Sequence, residues 1–413
     1  MSMATKDGPL AGIRVLDFTE RMQGPYGTQI LADFGAEVIE VERRVSLTVD
    51  GRPDERYGPN GRYGRDPADT SFYAAGFLAA NRNKKSVTID LKNADGKAVV
   101  ERLVGLCDVV YENFRPGVMA RLGFGYEHCA AINPSVIYAS AYGYGSDGPY
   151  ERRPGQDVLT QAIGGFGAMN AGADGRPMPV GMSITDLLGG MNGAIAVLAA
   201  LRHRERTGEG QRVEVNLLAS AVAAQSEQAV HFLNTDVGEP DRGTVMHAHP
   251  YIPAPYGFYA TKDGYLALSS GRQIPDLSRI LGVPELVTDP RFATPHARNE
   301  HRHEFETLLE EALAHRTTAE WMELMEPEGL FAAPVKTFAE AFTDPQVVQQ
   351  GMITTIDSPV GELKLLAPPY RLSRTPATVR TAPPRHGEHT EAVLESVGFS
   401  RDEIDQLRER EAI

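Results

Sequence analysis

The amino-acid sequence predicts an α/β protein with a Rossmann-like, doubly wound large domain and a smaller α+β domain. In the first third of the chain, short β-branched runs alternate with single segments of helical period, and such strand–helix–strand units join parallel strands. After residue 234 the sequence loses this periodicity and becomes rich in Gly, Pro and His before regular patterns return. We therefore place the large domain at 1–225, and a linker with the small domain at 226–330.

The first third of the chain contains the pattern of five strands and two helices. The strands are predicted at 12–19, 36–42, 85–91, 108–111 and 135–139, and the helices at 28–34 and 95–106. The second strand alternates apolar and acidic side chains, which is typical of a half-buried strand. The second helix has Val99, Val100, Leu103 and Val104 on one face. Gly35 lacks a Cβ and is suited to end the first helix.

A long apolar helix and a second set of regular segments follow. The helix runs from Asp186 to about Arg204, and Gly189, Gly190 and Gly193 weaken its propensity. We expect these glycines to permit close packing against a neighbouring helix or backbone. The remaining predictions are strands at 212–215 and 264–268, helices ending near 233 and at 304–314 and 388–411, and a capping box formed by Thr317 and Glu320.

Length and composition are those of an ordinary folded protein. The 413 residues are 42% hydrophobic and 23% charged, and domains hold roughly 150 residues each. The formal net charge of −14 argues against a nucleic-acid-binding surface. No run approaches the roughly 18 apolar residues of a membrane span, the N-terminus lacks the apolar core of a secretory signal, and the two cysteines are too few for a disulfide framework. We expect a cytoplasmic protein that binds neither nucleic acid nor membrane.

Two motifs that resemble cofactor or metal sites have simpler interpretations. Residues 143–148 have the spacing of a dinucleotide-binding loop, but Pro149 and other turn residues follow where a helix has to begin. A tight loop at the carboxyl edge of the sheet is favoured there. The histidines lack zinc-ligand spacing, so we expect no metal site. They are His247, His249, His296, His301 and His303.

Basic residues near strand ends and two carboxylates near helix starts are the strongest signals from the residues alone. Arginines where parallel strands end can hold phosphates through charge-assisted hydrogen bonds, although each is equally typical of a solvated surface. Asp157 and Asp186 precede helical segments, where composition predicts N-caps. An α/β enzyme or binding protein for a phosphate-bearing small ligand is indicated. The basic positions are Arg43, Arg44, Arg82, Lys84, Lys85, Arg115 and Arg121.

Several short motifs occur in the order in which the class III CoA-transferases carry them. They lie at 15–19, 36–43, 83–86, 112–117, 133–134, 145–150, 174–177, 199–211, 387–390 and 412–413. Each motif is weakly specific by itself, but together they are highly specific. The chain therefore resembles this family, which includes formyl-CoA transferase, L-carnitine CoA-transferase and α-methylacyl-CoA racemase, from about residue 9 to its end.

The resemblance implies that CoA moves from an acyl-CoA to a carboxylic acid, without a metal or a permanently bound cofactor. Asp186 stands at the position of the family nucleophile, and Asp157 at that of a supporting carboxylate. The aspartate attacks the thioester to give a mixed anhydride, and CoA thiolate converts this into an aspartyl-CoA thioester. Glycine-rich backbone near Asp186 is expected to supply oxyanion donors. The helix N-terminus is expected to favour the ionised aspartate.

The resemblance also implies CoA contacts and an assembly. The CoA-binding residues are Met22, Gln23, Arg43, Ile89, Asp90, Leu91, Lys92, Asn113, Phe114, Arg115 and Arg121. Formyl-CoA transferases have a glutamine at the position of Met22 and a glycine run where this chain has 269–271, so formate and oxalate are not the expected acids. The family fold is an interlocked homodimer, in which 331–413 returns to the large domain.

An α-methylacyl-CoA racemase or epimerase is the alternative within the family, and a catalytically silent CoA-binding protein is the alternative outside it. Racemisation needs two proton-transfer groups. Racemases of the family carry a histidine directly before the position of Asp157, and this chain has Gln156 there. An amide does not titrate near neutral pH, so we expect acyl transfer without epimerisation.

Overall fold

The computed structural model describes residues 8–44, 48–49, 52–53, 72–170, 174–236, 238, 246–358 and 361–413. Part of the predicted linker, 239–245, lies outside these residues. The strands are β1 (Arg14–Asp17), β2 (Glu37–Glu42), β3 (Thr48–Val49), β4 (Arg52–Pro53), β5 (Lys84–Thr88), β6 (Val109–Glu112), β7 (Ile137–Tyr142), β8 (Gln211–Asn216), β9 (Met246–His247), β10 (Gly257–Ala260), β11 (Tyr265–Leu268), β12 (Ala332–Pro334), β13 (Ile353–Ser358) and β14 (Gly361–Leu366).

The helices alternate with these strands, and a 3-10 helix spans Pro290–Phe292. The α-helices are α1 (Gln23–Asp33), α2 (Phe72–Ala80), α3 (Ala94–Leu106), α4 (Val118–Leu122), α5 (Tyr126–Ile132), α6 (Asp157–Ile163), α7 (Phe166–Met169), α8 (Ile184–Thr207), α9 (Leu217–Ala224), α10 (Ser226–Asn234), α11 (Ile274–Leu281), α12 (Glu285–Thr288), α13 (Pro295–Glu300), α14 (Arg302–Leu313), α15 (Thr318–Met325), α16 (Phe338–Thr343), α17 (Pro345–Gln349), α18 (Thr390–Ser396) and α19 (Arg401–Glu409).

A six-stranded sheet with the order β5-β2-β1-β6-β7-β8 forms the centre of the first unit. Every neighbouring pair in it is parallel, which confirms the parallel sheet expected from the alternating pattern. The strand that follows β1, which is β2, pairs with the edge of β1 that faces away from β6. The strand that follows β6, which is β7, pairs with the edge of β6 that faces away from β1. The connections after β1 and β6 therefore diverge, and in open α/β sheets this divergence leaves a crevice at the carboxyl ends of the strands.

The predicted strands of this sheet and the long helix are present, with boundaries that differ by a few residues. Two predicted helices are each divided in the structure. The helix expected to end near 233 is interrupted at Gln225 between α9 and α10. The helix expected at 388–411 is interrupted between α18 and α19, where Gly398 has a φ of 89°. The second interruption has local signals in the sequence, namely Gly398 and the capping box of Ser400 and Glu403.

Apolar side chains cover both faces of the six-stranded sheet. One core cluster packs Leu103 of α3 and Leu394 of α18 against strand residues such as Val110. The second cluster packs Leu31 of α1 and Val197 of α8 against the other face. Residues near the C-terminus thus contribute to the core of the sheet that the N-terminal half builds.

Helices α1 and α8 approach each other closely because glycines face each other between them. A Cβ on Gly190 would lie 2.6 Å from the Gln23 carbonyl oxygen, and one on Gly27 would lie 2.8 Å from the Gly190 carbonyl oxygen. A Cβ on Gly193 would lie 1.8 Å from the Tyr111 hydroxyl oxygen. The expectation that these glycines permit close packing is confirmed. By length and composition alone α8 qualifies to cross a membrane, and 44% of its most apolar stretch is buried within the chain.

Two buried ion pairs account for basic residues that the sequence analysis considered as phosphate ligands. Lys84 Nζ lies 3.0 Å from Asp17 Oδ2, and both side chains are fully buried. Arg82 Nη2 lies 2.6 Å from Asp33 Oδ2, also in the interior. Because a buried charge is costly unless it is paired, these cations neutralise neighbouring aspartates. The hypothesis of a phosphate grip at Arg82 and Lys84 is not supported.

The chain divides into two compact units whose segments are interleaved. The first consists of Met1–Thr160, Met182–Ala224 and Pro345–Ile413, and the second of Gln161–Gly181 and Gln225–Asp344. The division changes unit at Gln225, next to the predicted boundary at 225, but the second unit also includes Gln161–Gly181 and extends to Asp344 instead of 330. There, β12 pairs with β11 in the antiparallel sheet β12-β11-β10-β9.

The second unit has its own core beside that sheet. Tyr259, Phe305 and Trp321 are among its buried side chains. The Trp321 Nε1–H donates to the Leu313 carbonyl oxygen at 2.9 Å. The predicted capping box at Thr317 and Glu320 is confirmed at the start of α15.

Substitution of Gly193 tests the packing of α1 and α8. We expect Gly193→Ala to destabilise the protein by about 1–3 kcal/mol, since overpacking of a tight contact costs that much. The Tyr111 hydroxyl is buried and has no hydrogen-bond partner among the described residues. Tyr111→Phe should therefore be tolerated alone and should recover part of the loss in the Gly193→Ala background, as measured by urea unfolding.

The matched control is Gly105→Ala, also in a helix of the first unit. A Cβ there would make only an ordinary contact, 3.6 Å from Ile132 Cγ2, and alanine is the better helix former. We expect this variant to be neutral or more stable. Equal stability of the Gly193→Ala and Gly105→Ala proteins would contradict the packing account.

Candidate active site

A cleft of about 740 Å³ opens in the first unit where the strands of the parallel sheet end. Its walls come from the segments after β1, β2, β6 and β7 and from the first turn of α8. Eight of the residues that the sequence analysis assigned to the site line it together. They are Met22, Gln23, Arg43, Asn113, Phe114, Arg115, Asp157 and Asp186.

The other five predicted residues do not line this cleft. Ile89 is fully buried in the core, and Leu91 packs against the same core. The Asp90 carboxylate accepts a hydrogen bond from the Lys92 backbone N–H at 2.8 Å. Arg121 is exposed in the last turn of α4. A role of these residues in binding CoA stays a prediction from the resemblance.

Asn113 joins the two segments that diverge at the centre of the sheet. Its side-chain oxygen accepts a hydrogen bond from the Glu20 N–H at 2.8 Å, and its amide nitrogen donates to the Glu20 carbonyl oxygen at 2.7 Å. Glu20 follows β1, and Asn113 follows β6. This paired contact holds the two segments together at the floor of the cleft.

Gln23 begins α1 and lies against α8. Its side chain is buried, and its amide nitrogen donates to the Tyr142 carbonyl oxygen at 3.4 Å. A Cβ on Gly189 would lie 2.8 Å from Gln23 Nε2, so Gly189 makes room for this amide. Gly189 and Gly190 lie inside α8, where backbone N–H groups are bonded within the helix. The N–H groups of these two glycines are therefore engaged within α8, and oxyanion donors from other backbone near Asp186 stay a prediction.

Asp186 lies in the first turn of α8, at the edge of the cleft. Ser183 occupies the N-cap position, so the prediction that Asp186 caps this helix is wrong. Burial, with a further contribution from the negative charge of Asp157, raises the pKa of Asp186 to about 7. The expected preference of the helix N-terminus for an ionised aspartate is thus outweighed. Both protonation states of Asp186 are well populated at neutral pH.

Asp157 is held at the start of α8, although it belongs to another helix. It is the first residue of α6. Its Oδ1 atom accepts a hydrogen bond from the Thr185 backbone N–H at 2.7 Å and from the Thr185 hydroxyl at 2.8 Å. Asp157 thus satisfies one of the N–H groups that a helix leaves unpaired at its N-terminus. It does so for α8, and not for its own helix as composition predicted.

The sequence analysis missed an aromatic and basic wall of the cleft after β7. Tyr144 and Arg153 both line the cleft. The Tyr144 and Tyr150 rings meet edge to face with centroids 5.7 Å apart, and the Arg153 guanidinium lies 3.8 Å from the centre of the Tyr150 ring. The available signal was the aromatic and basic composition of residues 144–153.

Within the described part of the chain, no group of three or more His, Cys, Asp or Glu side chains is arranged to hold a metal ion. The cleft instead offers arginines, aromatic rings and a pair of neighbouring carboxylates. Arginines suit anionic groups such as phosphates, and a carboxylate can act as a nucleophile toward an acyl carbon.

The family model described as CoA-transferase family III matches residues 10–390. The chain belongs to this family. It is 36% identical over 415 residues to an acyl-CoA transferase of Fusarium pseudograminearum, covering 99% of this chain and 89% of that protein. It is 35% identical over 392 residues to succinyl-CoA:glutarate CoA-transferase of Mus musculus, covering 94% and 86%.

A solved structure shows the same fold. The crystal structure of Rv3272 from Mycobacterium tuberculosis superposes with a TM-score of 0.79 at 33% identity, over 94% of this chain and 99% of that one. The protein is therefore a family III CoA-transferase, and acyl-CoA thioesters and carboxylic acids are its substrate classes.

The raised pKa of Asp186 predicts a stability effect of Asp186→Asn. The folded protein binds this proton more tightly than the unfolded chain, so ionisation lowers the free energy of unfolding as pH rises from about 4 to about 7. We expect the asparagine variant to melt above the wild type at about pH 8, and the difference to vanish toward about pH 4. Thermal unfolding followed by circular dichroism across this range measures both.

Glu323→Gln is the control, because Glu323 is exposed on α15. This variant should show no such pH-dependent gain. An Asp186→Asn protein that melts below the wild type at alkaline pH would contradict the account of the buried carboxyl.

Proposed function

We propose that this protein transfers CoA from an acyl-CoA to a carboxylic acid, with Asp186 as the covalent nucleophile. The observation that supports this assignment best is the position of Asp186 at the start of a helix on the edge of the cleft. The pKa of about 7 leaves a large fraction of Asp186 ionised at neutral pH. Asp157 is the supporting carboxylate beside it.

The first half of the reaction loads CoA onto the enzyme. An oxygen of the Asp186 carboxylate attacks the thioester carbonyl carbon, the C–S bond breaks, and CoA leaves as a thiolate. Asp186 now carries the acyl group as a mixed anhydride. The thiolate then attacks the Asp186 carbonyl carbon, and the donor acid leaves as its carboxylate. An aspartyl-CoA thioester remains on the enzyme.

The second half runs the same steps in reverse with the acceptor. The acceptor carboxylate attacks the aspartyl thioester and expels CoA thiolate, which leaves a new mixed anhydride. The thiolate attacks the acyl carbon of the acceptor, so the new acyl-CoA departs and Asp186 is regenerated. Every step exchanges one anion for another, and the cycle needs no oxidant and no metal.

CoA is proposed to bind across the carboxyl edge of the Rossmann-like sheet. The arginines are expected to hold its phosphates through charge-assisted hydrogen bonds. We keep all the residues that the resemblance assigns, including those outside the cleft: Met22, Gln23, Arg43, Ile89, Asp90, Leu91, Lys92, Asn113, Phe114, Arg115 and Arg121.

The acceptor proposed first is a small dicarboxylic acid, and the donor is succinyl-CoA. The murine relative is named for succinyl-CoA and glutarate, and a second carboxylate has cationic partners in a cleft that contains Arg115 and Arg153. We also propose the interlocked homodimer and the cytoplasmic location that the family resemblance implies. The large domain would then be built from both ends of the chain. An epimerase is not favoured, because the proton-transfer position beside Asp157 is occupied by Gln156.

Hydroxylamine trapping tests the nucleophile. We expect wild-type protein incubated with an acyl-CoA and then with hydroxylamine to carry a hydroxamate at Asp186, detected by peptide mass spectrometry. Asp186→Ala should lower kcat by about 10⁴-fold or more, since it removes the covalent step. Asp402→Ala, at an exposed aspartate of α19, should transfer acyl groups normally. Wild-type turnover in the Asp186→Ala protein would refute the assignment.

Calorimetric titration with CoA tests the phosphate contacts. Arg43→Ala, Arg115→Ala and Arg121→Ala should each weaken binding by about 1–3 kcal/mol, the value of a charge-assisted hydrogen bond. Arg202→Ala is the control, because Arg202 is exposed and its guanidinium pairs with Glu205 at 3.0 Å. Unchanged affinity in all three test variants would remove the arginines from the CoA site.

A further inference from the structure

A chain of two threonine hydroxyls ends on the Asp157 carboxylate. A carboxylate oxygen only accepts, so the Thr185 hydroxyl donates its hydrogen to Asp157 Oδ1 over 2.8 Å. The Thr160 hydroxyl lies 2.8 Å from the Thr185 hydroxyl. With the Thr185 hydrogen engaged by Asp157, the single Thr160 hydrogen is shared between two acceptors, the Thr185 hydroxyl oxygen and the Asp157 carbonyl oxygen. Both hydroxyls are thereby oriented toward Asp157.

This chain is buried and joins two helices. Thr160 and Thr185 have no exposed surface. Thr160 belongs to the same helix as Asp157, and its hydroxyl also lies 2.9 Å from the Asp157 carbonyl oxygen. Thr185 belongs to α8 and directly precedes Asp186 in its first turn. A bond from Thr185 to Asp157 therefore restricts the separation between Asp157 and Asp186.

We propose that Thr185 is a positioning residue for the nucleophile: together with Thr160 it holds the Asp157 carboxylate beside Asp186, so that the two negative charges repel. This inference rests on the proposed function of Asp186. The repulsion is present while Asp186 is ionised. It disappears when an Asp186 oxygen bonds to the acyl carbon, because the negative charge then leaves on the CoA sulfur. The fixed Asp157 thus favours the acylated enzyme over the free carboxylate.

The charge that acts on Asp186 is that of Asp157. After burial, Asp157 is the cause that raises the pKa of Asp186. Other ionisable groups also face α8 or line the cleft with it. They are Glu20, Arg21, Tyr26, Glu40, Glu42, Arg43, Tyr111, Arg115, Tyr142, Tyr144, Glu151 and Arg153.

The test is a carbon-13 NMR titration of Asp186 in protein labelled at aspartate carboxyls, with the Asp186 signal assigned by its loss in Asp186→Asn. Thr185→Val keeps the side-chain shape and removes the hydroxyl. We expect it to lower the Asp186 midpoint by about half a pH unit or more, and Asp157→Asn to lower it at least as far. Thr185→Ser keeps the donor and is expected to restore the wild-type midpoint. The acid limb of kcat against pH should move in the same direction.

A purely structural role for Thr185 would lower stability without moving the midpoint. An unmoved midpoint in Thr185→Val, or in Asp157→Asn should the valine variant fail to fold, overturns the proposal. A serine variant with the valine midpoint overturns it as well, because the hydroxyl is then not the positioning group. The titration does not require turnover. If the wild type transfers no acyl group, the proposed function fails while the midpoints still decide the role of Thr185.

Discussion

The close approach of α1 and α8 is the constraint on which the site depends. Gly27 and Gly190 allow backbone to meet backbone, and Gly193 leaves space for the Tyr111 hydroxyl from the sheet below. With side chains at these positions, α8 would have to move away from the sheet. Its first turn, with Asp186, would then leave the edge of the cleft. The packing of α8 and the position of Asp186 are thus set by the same stretch of helix.

A buried network of hydrogen bonds and one ion pair surrounds Asp17 in the first unit. Asp17, at the end of β1, accepts hydrogen bonds from the Thr19 backbone N–H and hydroxyl and from the Thr28 hydroxyl, and it pairs with Lys84. Removal of one partner from such a buried network leaves an uncompensated charge. The network ties β1, α1 and β5 together. Asn113 then ties the segment after β1 to that after β6.

Local patterns predicted the sheet well, because alternation of β-branched and helical segments is a property of neighbouring residues. They predicted the environment of side chains poorly. Arg82 and Lys84 lie before and at the start of β5 and are buried beside Asp33 and Asp17, whereas Arg43 follows β2 and is exposed. Burial beside an aspartate depends on residues far away in sequence, so local patterns did not predict these ion pairs. The interleaved boundary at Gln161–Gly181 was hidden for the same reason.

The carboxylate pair shows most clearly why the sequence could not predict the site in full. Asp157 and Asp186 both looked like helix caps, and a helix N-terminus stabilises an anion. In the fold they meet at one N-terminus, that of α8, and Asp157 takes the Thr185 N–H. Asp186 remains in the same field without that hydrogen bond, half-buried and next to a like charge, and its pKa rises. Two similar carboxylates at one helix start thus differ in environment, because distant residues bury one and hydrogen-bond the other.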